Sequence, residues 1–540
     1  MKKYVSILLI ALMLLSLFTG CGKSGTETAA PAKDETPANS DSNVMGDGGA
    51  SAEVGTVVEE GTDVKYAESM TIIVDNTQMT VLDPAHSTAG GQGTLLNVNC
   101  VFNTLIANDN GTLVPELATE WTNDGNQHYT FKLRDDVYFH NGEQFTADDV
   151  AFTVEHAAAQ SGGTAFSRYG YVDNVEVVND FEVILHLKSP NSDFLQYLHN
   201  PNLAILNRDA VEADPEKGVW IGTGPYIVED FVSDQYSQLY ANENYWGGAP
   251  ITKRLRFIKV AEEATRYMML MNGEVDVSFG CNAADFASIK EDPNFELFTY
   301  VIVNVGFVTF NMQDPLMADI NFRKAISCLI NRQQSIDTRY GYAEEPPSGS
   351  FWGYSTTYRN MDIPLQEYDV DKAKEYLAQS KYNGETIEIA TWMVGQGVAA
   401  QLQADLMQLG VNCEVFQTDT AGFAAYTKYG DSKAQIVSHG GSQNSYPSSM
   451  AGFYAEGSST NKSNYADPEI NELFAKAMST MDETERETCY KEIQRISYEK
   501  CLYIPTTSTR HGVGAAKGVG GVILTEENSH DLSGIFRVIE

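Results

Sequence analysis

Cations are scarce in this 540-residue chain: 36 Lys and Arg stand against 73 Asp and Glu, a formal charge of −37. That balance repels phosphate backbones and anionic surfaces, so nucleic acid is not expected as a partner. Closely spaced cysteines are also missing. The seven, Cys21, Cys100, Cys281, Cys328, Cys413, Cys489 and Cys501, contain no CxxC pair, which removes the usual zinc and dithiol sites. Cys328 and Cys413 stand in apolar segments and read as small core residues. No GxxxxGK(S/T) loop is present, so the chain is not a P-loop ATPase. The run Gly512 to Gly521 has Lys517 where a dinucleotide-binding turn needs its third glycine, and it reads as a loop. No serine has a GxSxG setting, and His439-Gly440-Gly441, similar to a lipase oxyanion loop, lacks that nucleophile. No HExxH occurs and the nine histidines are dispersed. No catalytic group, metal or cofactor is therefore assigned.

Only one long apolar run exists. Lys2-Lys3 precedes Tyr4 to Phe18, which ends in Thr19-Gly20-Cys21. A positive start, a short apolar stretch and small residues before a cysteine make residues 1–20 a signal peptide. The ending resembles a bacterial lipobox, with Phe18 where leucine is usual, which implies a lipid on Cys21. Residues 21–65 are rich in Gly, Ser, Thr, Ala, Pro and acids. They read as a flexible tether with an average reach of roughly 35–40 Å.

From Tyr66 onward strands and helices alternate, the pattern of an α/β fold. Thr71-Ile-Ile-Val74 and Tyr129 to Leu133 read as strands, and Val175 to Val178 with Val183 to Leu187 as a hairpin about Asn179-Asp180. Thr146-Ala-Asp-Asp149 predicts a capping box. Later helices are expected over Glu262 to Met271 (stopped by Gly273), Asn321 to Asn331, Asp369 to Gln379, Val398 to Leu409 (stopped by Gly410), and from Asp467-Pro468 through Met478. Aromatics concentrate in apparent loops, at Phe166 to Tyr171, Phe351 to Tyr354 and Tyr446-Pro447, as the walls of a solute-binding cleft would require.

An ordered set of segments carries a family resemblance. It runs through Leu82-Asp83-Pro84, Leu113 to Ala118 with Trp121, Tyr129 to Arg134, Val137 to Gly142, Phe145 to Val150 and Gly222 to Tyr226. It continues with Asn242 to Trp246, Asn272 to Asp276, Asn311, Phe322 to Ile326 and Tyr368 to Leu377. From about Tyr66 to the end the chain resembles the family 5 bacterial extracellular solute-binding proteins, which include oligopeptide-, dipeptide- and nickel-binding proteins. Read without the family, Arg134, Arg323 and Asp148 are simplest as structural ion pairs or caps.

The resemblance implies a two-lobed periplasmic-binding-protein fold of the class II type with an extra domain inserted in lobe one. Lobe one would comprise residues 66–108, 222–305 and 505–540, the insert 109–221, and lobe two 306–504. Crossover strands near Gly306 to Phe310 and Leu502 to Thr506 would form the hinge. It also implies a monomeric ABC-importer component, anchored through its lipid outside the cell membrane, that closes over peptides or similar solutes and presents them to the permease subunits. The expected cleft residues are Thr88, Gly90, Arg168, Tyr169, Trp352, Tyr354, Arg359, His439, Asn444 and Tyr446. Ala at Trp352 or Tyr446 should weaken binding and spare apo stability. Peptide binders of the family hold the ligand's ammonium with an acid in an Asp-Tyr-Pro-Asp-Pro stretch, where this chain has Asn444-Ser445-Tyr446-Pro447-Ser448. A metal-chelate binder, a sensor module and an extracellular hydrolase are the alternatives.

Overall fold

β-Branched and aromatic runs build the central sheet. The expected strand at Thr71 lies within Ser69–Val74, paired in parallel with Arg254–Lys259 and Val277–Phe279. Ile72, Ile73 and Val74 are fully buried, as a parallel strand covered on both faces requires. The computed structural model describes residues 51–56, 64–75, 79–109, 112–338, 343–346, 348–392, 395–440, 445–527 and 529–539. The signal segment, Cys21 and Asn444 lie outside them.

The sheet has eleven strands. Its first half runs Tyr226–Val232, Tyr236–Ala241, Arg254–Lys259, Ser69–Val74, Val277–Phe279, and its second half ends Ile436–Gly440, Ile387–Thr391, Cys413–Gln417. Between them lie two long antiparallel strands, Phe295–Phe310 and Tyr503–Ala516, with Ala343–Glu344 paired to the latter. Phe295 faces Ala516 at one end of this pair and Thr309 faces Tyr503 at the other, with register shifts around Val305. Pro505 offers no N–H to this ladder. A Cβ on Gly306 would lie 2.6 Å from Thr506 Oγ1, so the backbones meet closely where the register breaks.

Two sequence expectations need correcting. The glycine-rich run is not a loop: residues 512–516 complete the long strand, and Val519–Gly520 is a further short one. Glycine serves close packing there, since a Cβ on Gly514 would lie 2.4 Å from Leu270 Cδ2. The stretch read as tether also contains structure, because Ser51–Val54 pairs antiparallel with Val522–Thr525 and Val54 is buried.

A separate antiparallel sheet, ordered Ala118–Asp124, His128–Leu133, Glu182–Leu187, Val172–Asn179, packs with helices Ala147–Ala159 and Gly163–Tyr169 around its own apolar cluster. The first helix starts as anticipated: the Thr146 amide donates to Asp149 Oδ2 at 2.9 Å. Later helices follow the capping logic, with Glu263–Met271 and Gln396–Gln408 followed by Gly273 and Gly410 at positive φ. Asp369 caps Val370–Ala378 and Asp467 caps Pro468–Ser479. The helix expected to reach Asn331 covers Ile320–Cys328, and Arg332–Thr338 forms another. Helix Glu483–Glu499, which sequence reasoning did not single out, buries Cys489, Tyr490, Ile493 and Ile496.

Arg134 pairs with Asp136 at 2.7 Å and Asp148 with Arg208 at 2.5 Å. Arg323 instead donates to the Met317 and Lys500 carbonyls. Cys100, Cys281, Cys328, Cys413, Cys489 and Cys501 are free thiols. Among the described residues no helix is long and apolar enough to cross a membrane.

Candidate functional site

Three parallel strands of the second half end together, after Thr391, Gln417 and Gly440. Ligands of open α/β sheets bind beyond such carboxyl ends. A cavity of about 950 Å³ lies there, bounded by Trp392, the start of helix Gln396–Gln408, His439, and Gly306 and Thr506 of the long strands. A second, of about 370 Å³, shares Trp392 and His439 with the first and adds Phe423, Phe453 and Lys462.

The Trp392 indole Nε1–H donates to His439 Nδ1 at 2.6 Å. This contact assigns the neutral imidazole proton to Nε2. Phe423 and Phe307 pack on the ring with centroids at 5.0 and 5.6 Å. Burial, with the charge of Lys462, lowers the His439 pKa to about 4. The side chain is therefore neutral at pH 7.

A third cavity, of about 210 Å³, is acidic: Glu116, Glu526, Glu527 and Asp531 line it together with Ser355 and Ser445. Burial raises the pKa of Glu116 and Asp531. Burial pushes Glu526 up to about 7 against the lowering influence of Ser355, with a smaller upward contribution from the charge of Glu527. Ser445 N donates to Glu527 Oε1 at 3.0 Å, so the stretch that lacks the expected acid meets one from the chain's C-terminal part. Among the described residues no cluster of three His, Cys, Asp or Glu is arranged to hold a metal ion.

The expected cleft residues separate into groups. Arg168 and Tyr446 are brought together: the guanidinium lies 4.8 Å over the Tyr446 ring and 4.7 Å over that of Tyr197. The two tyrosine rings meet edge to face at 4.8 Å. Beside them Ser448 N donates to Asp193 Oδ2 at 2.8 Å, and Tyr197 OH lies 2.7 Å from Ser448 Oγ. Tyr446 thereby joins the apolar cluster of the separate four-stranded sheet. His439 lines two cavities, as above. Thr88 is half-buried, its hydroxyl 3.0 Å from His86 Nδ1, and Gly90 is exposed. Tyr354 is half-buried and donates to the Glu345 carbonyl.

Tyr169, Trp352 and Arg359 lie in the packed interior. Tyr169 donates to the Leu203 carbonyl at 2.9 Å. Arg359 donates to the Ser350 and Trp352 carbonyls, and burial lowers its pKa to about 10. Trp352 has no exposed surface and stacks on Phe474. The expectation that its removal spares stability is corrected accordingly: the ring fills a core. Sequence reasoning missed Trp392, Phe423, Lys462 and Glu526. Trp392 alone carried a signal, an aromatic directly after the apolar strand Ile387–Thr391.

The family model for bacterial extracellular solute-binding proteins, family 5 Middle, matches residues 112–464. The chain is 27% identical to heme-binding protein A of Haemophilus influenzae over 79% of this chain and 84% of that protein. It is 26% identical to the dipeptide-binding protein of Escherichia coli over 74% and 82% respectively. The crystal structure of the ABC transporter substrate-binding protein CtaP from Listeria monocytogenes superposes with a TM-score of 0.78 at 23% identity, covering 88% of this chain and 100% of that one.

Proposed function

From the chain's membership of the bacterial extracellular solute-binding proteins, family 5, we propose that it is the substrate-binding component of an ABC importer that captures peptides or peptide-like solutes. Family members bind solutes, and no residue of this chain is assigned a catalytic role. In our reading residues 66–108, 222–305 and 505–540 form lobe one, 109–221 its insert and 306–504 lobe two. Cys21 carries a lipid that holds the protein outside the cell membrane, beside its permease, as a monomer.

The observation that supports this reading best is the seam at Tyr446. A residue of the proposed lobe two is 2% exposed against Arg168 and Tyr197 of the insert, and the preceding Ser445 lines the acidic cavity. A clamp that shuts over its guest needs such a seam. A solute between the lobes stabilises the shut form by its greater affinity for that form.

A chelated metal is less well supported. His439 Nδ1 already accepts from Trp392 and Nε2 then carries the proton, so neither nitrogen offers a lone pair to a metal while that contact stands. Titration calorimetry with mixed di- and tripeptides, a nickel chelate and heme tests the choice. Saturable heat with peptides alone is expected, and binding of only the chelate or heme would overturn the peptide assignment.

A further inference from the structure

His128 and His186, 58 positions apart, are cross-strand partners in the separate four-stranded sheet. Tyr129 and Phe131 on one strand and Val183 and Leu185 on the other are fully buried. Strand alternation therefore turns both histidines to the opposite face of the sheet, away from that apolar cluster. There His128 is exposed and His186 half-buried. Their Nδ1 atoms lie 2.9 Å apart, and His186 Nε2 lies 3.1 Å from Glu176 Oε2. An ionised carboxylate only accepts, so Nε2 of the neutral His186 ring carries the hydrogen and its Nδ1 lone pair faces His128. A carboxylate that holds one imidazole nitrogen as a donor and leaves the other as a base is the outer-shell arrangement of histidine metal ligands. Asp124 stands in register with His128 on the remaining side, so an acidic residue flanks each histidine.

We propose that His128 and His186 form a surface copper(II) site, each contributing its Nδ1, with Glu176 as a positioning residue for His186. The site is separate from the cavities described above and does not depend on what solute they hold. Nitrogen–metal bonds of about 2.0–2.1 Å spanning the 2.9 Å between the two atoms subtend an angle of about 90° at the ion. That is the angle between neighbouring ligands of a tetragonal ion, whereas a tetrahedral ion would need the nitrogens roughly 3.3–3.4 Å apart. Copper(II) prefers tetragonal nitrogen and oxygen ligation and heads the affinity order for divalent ions, so it fits this pair better than zinc. Among the described residues no third His, Cys, Asp or Glu is arranged to complete a metal cluster, and water fills the other positions. Without the ion, His128 Nδ1–H donates to His186 Nδ1. On binding, the hydrogen of the neutral His128 ring moves to its Nε2, both Nδ1 lone pairs reach the ion, and no net proton is lost.

The test titrates tag-free protein with copper(II) chloride in a non-coordinating buffer, read by calorimetry and electron paramagnetic resonance. Wild type is expected to take up one tight equivalent whose spectrum shows coupling to two imidazole nitrogens. His128→Gln and His186→Gln should each weaken it by about 100-fold or more, beyond the range for outer-shell partners, and leave one nitrogen in the spectrum. The double variant should keep only the weak background binding shared by all the proteins. Both positions lie on an outer face, so circular dichroism of each variant should match wild type.

Glu176→Leu should cost 10- to 100-fold in copper affinity with the two-nitrogen pattern intact. Glu176→Gln, whose amide oxygen can still accept from Nε2–H, should recover most of that loss. No tight equivalent in wild type, or a tight equivalent that survives in the double variant, would overturn the site. Either result would leave the pair as a hydrogen bond between two imidazoles. A two-nitrogen spectrum in either single histidine variant would overturn it as well. Wild-type affinity in Glu176→Leu would overturn the positioning role.

Discussion

Trp352→Ala is expected to cost about 3–5 kcal/mol of folding stability, the range for removing a large aromatic from a core, with ligand affinity unchanged within a few-fold. The indole is fully buried, stacked on Phe474 at 6.2 Å and 16° and edge-on to Tyr490 at 5.8 Å. Among the described residues its Nε1–H makes no hydrogen bond, so the loss comes chiefly from packing. Phe351, Met450, Tyr454 and Tyr490 surround the same cluster and would have to collapse inward to refill the space. Residue 352 borders none of the three cavities. Urea unfolding of the apo protein measures the effect, and a loss below about 1 kcal/mol would contradict this placement.

Tyr446→Ala should do the reverse. Its ring is 2% exposed because the Arg168 guanidinium and the Tyr197 ring cover it from the separate four-stranded sheet. When the proposed lobes part, that surface returns to water. The burial therefore stabilises the shut form and contributes little to either lobe's own core. Full burial of such a side chain is worth about 2–3 kcal/mol, so affinity for the guest should fall roughly 30- to 150-fold. The apo unfolding midpoint should barely move. Small-angle scattering at a ligand concentration that saturates wild type should show a larger radius of gyration for the variant. Affinity within threefold of wild type would contradict a closing role for this seam.

Several helices were legible from local chemistry at their ends, although Glu483–Glu499, capped by Asp482, was passed over. Thr146 with Asp149, and the caps Asp369 and Asp467, act within one turn, so the information lies in adjacent residues. The buried strand Ser69–Val74 was legible from its β-branched run. The glycine-rich end of Tyr503–Ala516 was not, since its glycines resemble a loop until Leu270, distant in sequence, is seen to press against Gly514. The aromatics misled in an instructive way. Trp352 and Tyr446 both sit beside turn-forming residues, yet one fills a core and the other a seam, a difference set by Phe474 and Tyr197 far along the chain. Lys462 gave no sequence signal, because its place on a cavity wall with Trp392 and Phe423 is a property of the folded surroundings.

The central claim is that the protein holds a small solute between its lobes and returns it unaltered. Native mass spectrometry of the purified protein, before and after mild unfolding, tests this most directly. Added peptide should appear as a 1:1 mass increment on the folded protein and reappear after unfolding at its original mass. Release of cleaved or otherwise altered peptide, or no increment with any peptide offered, would contradict it.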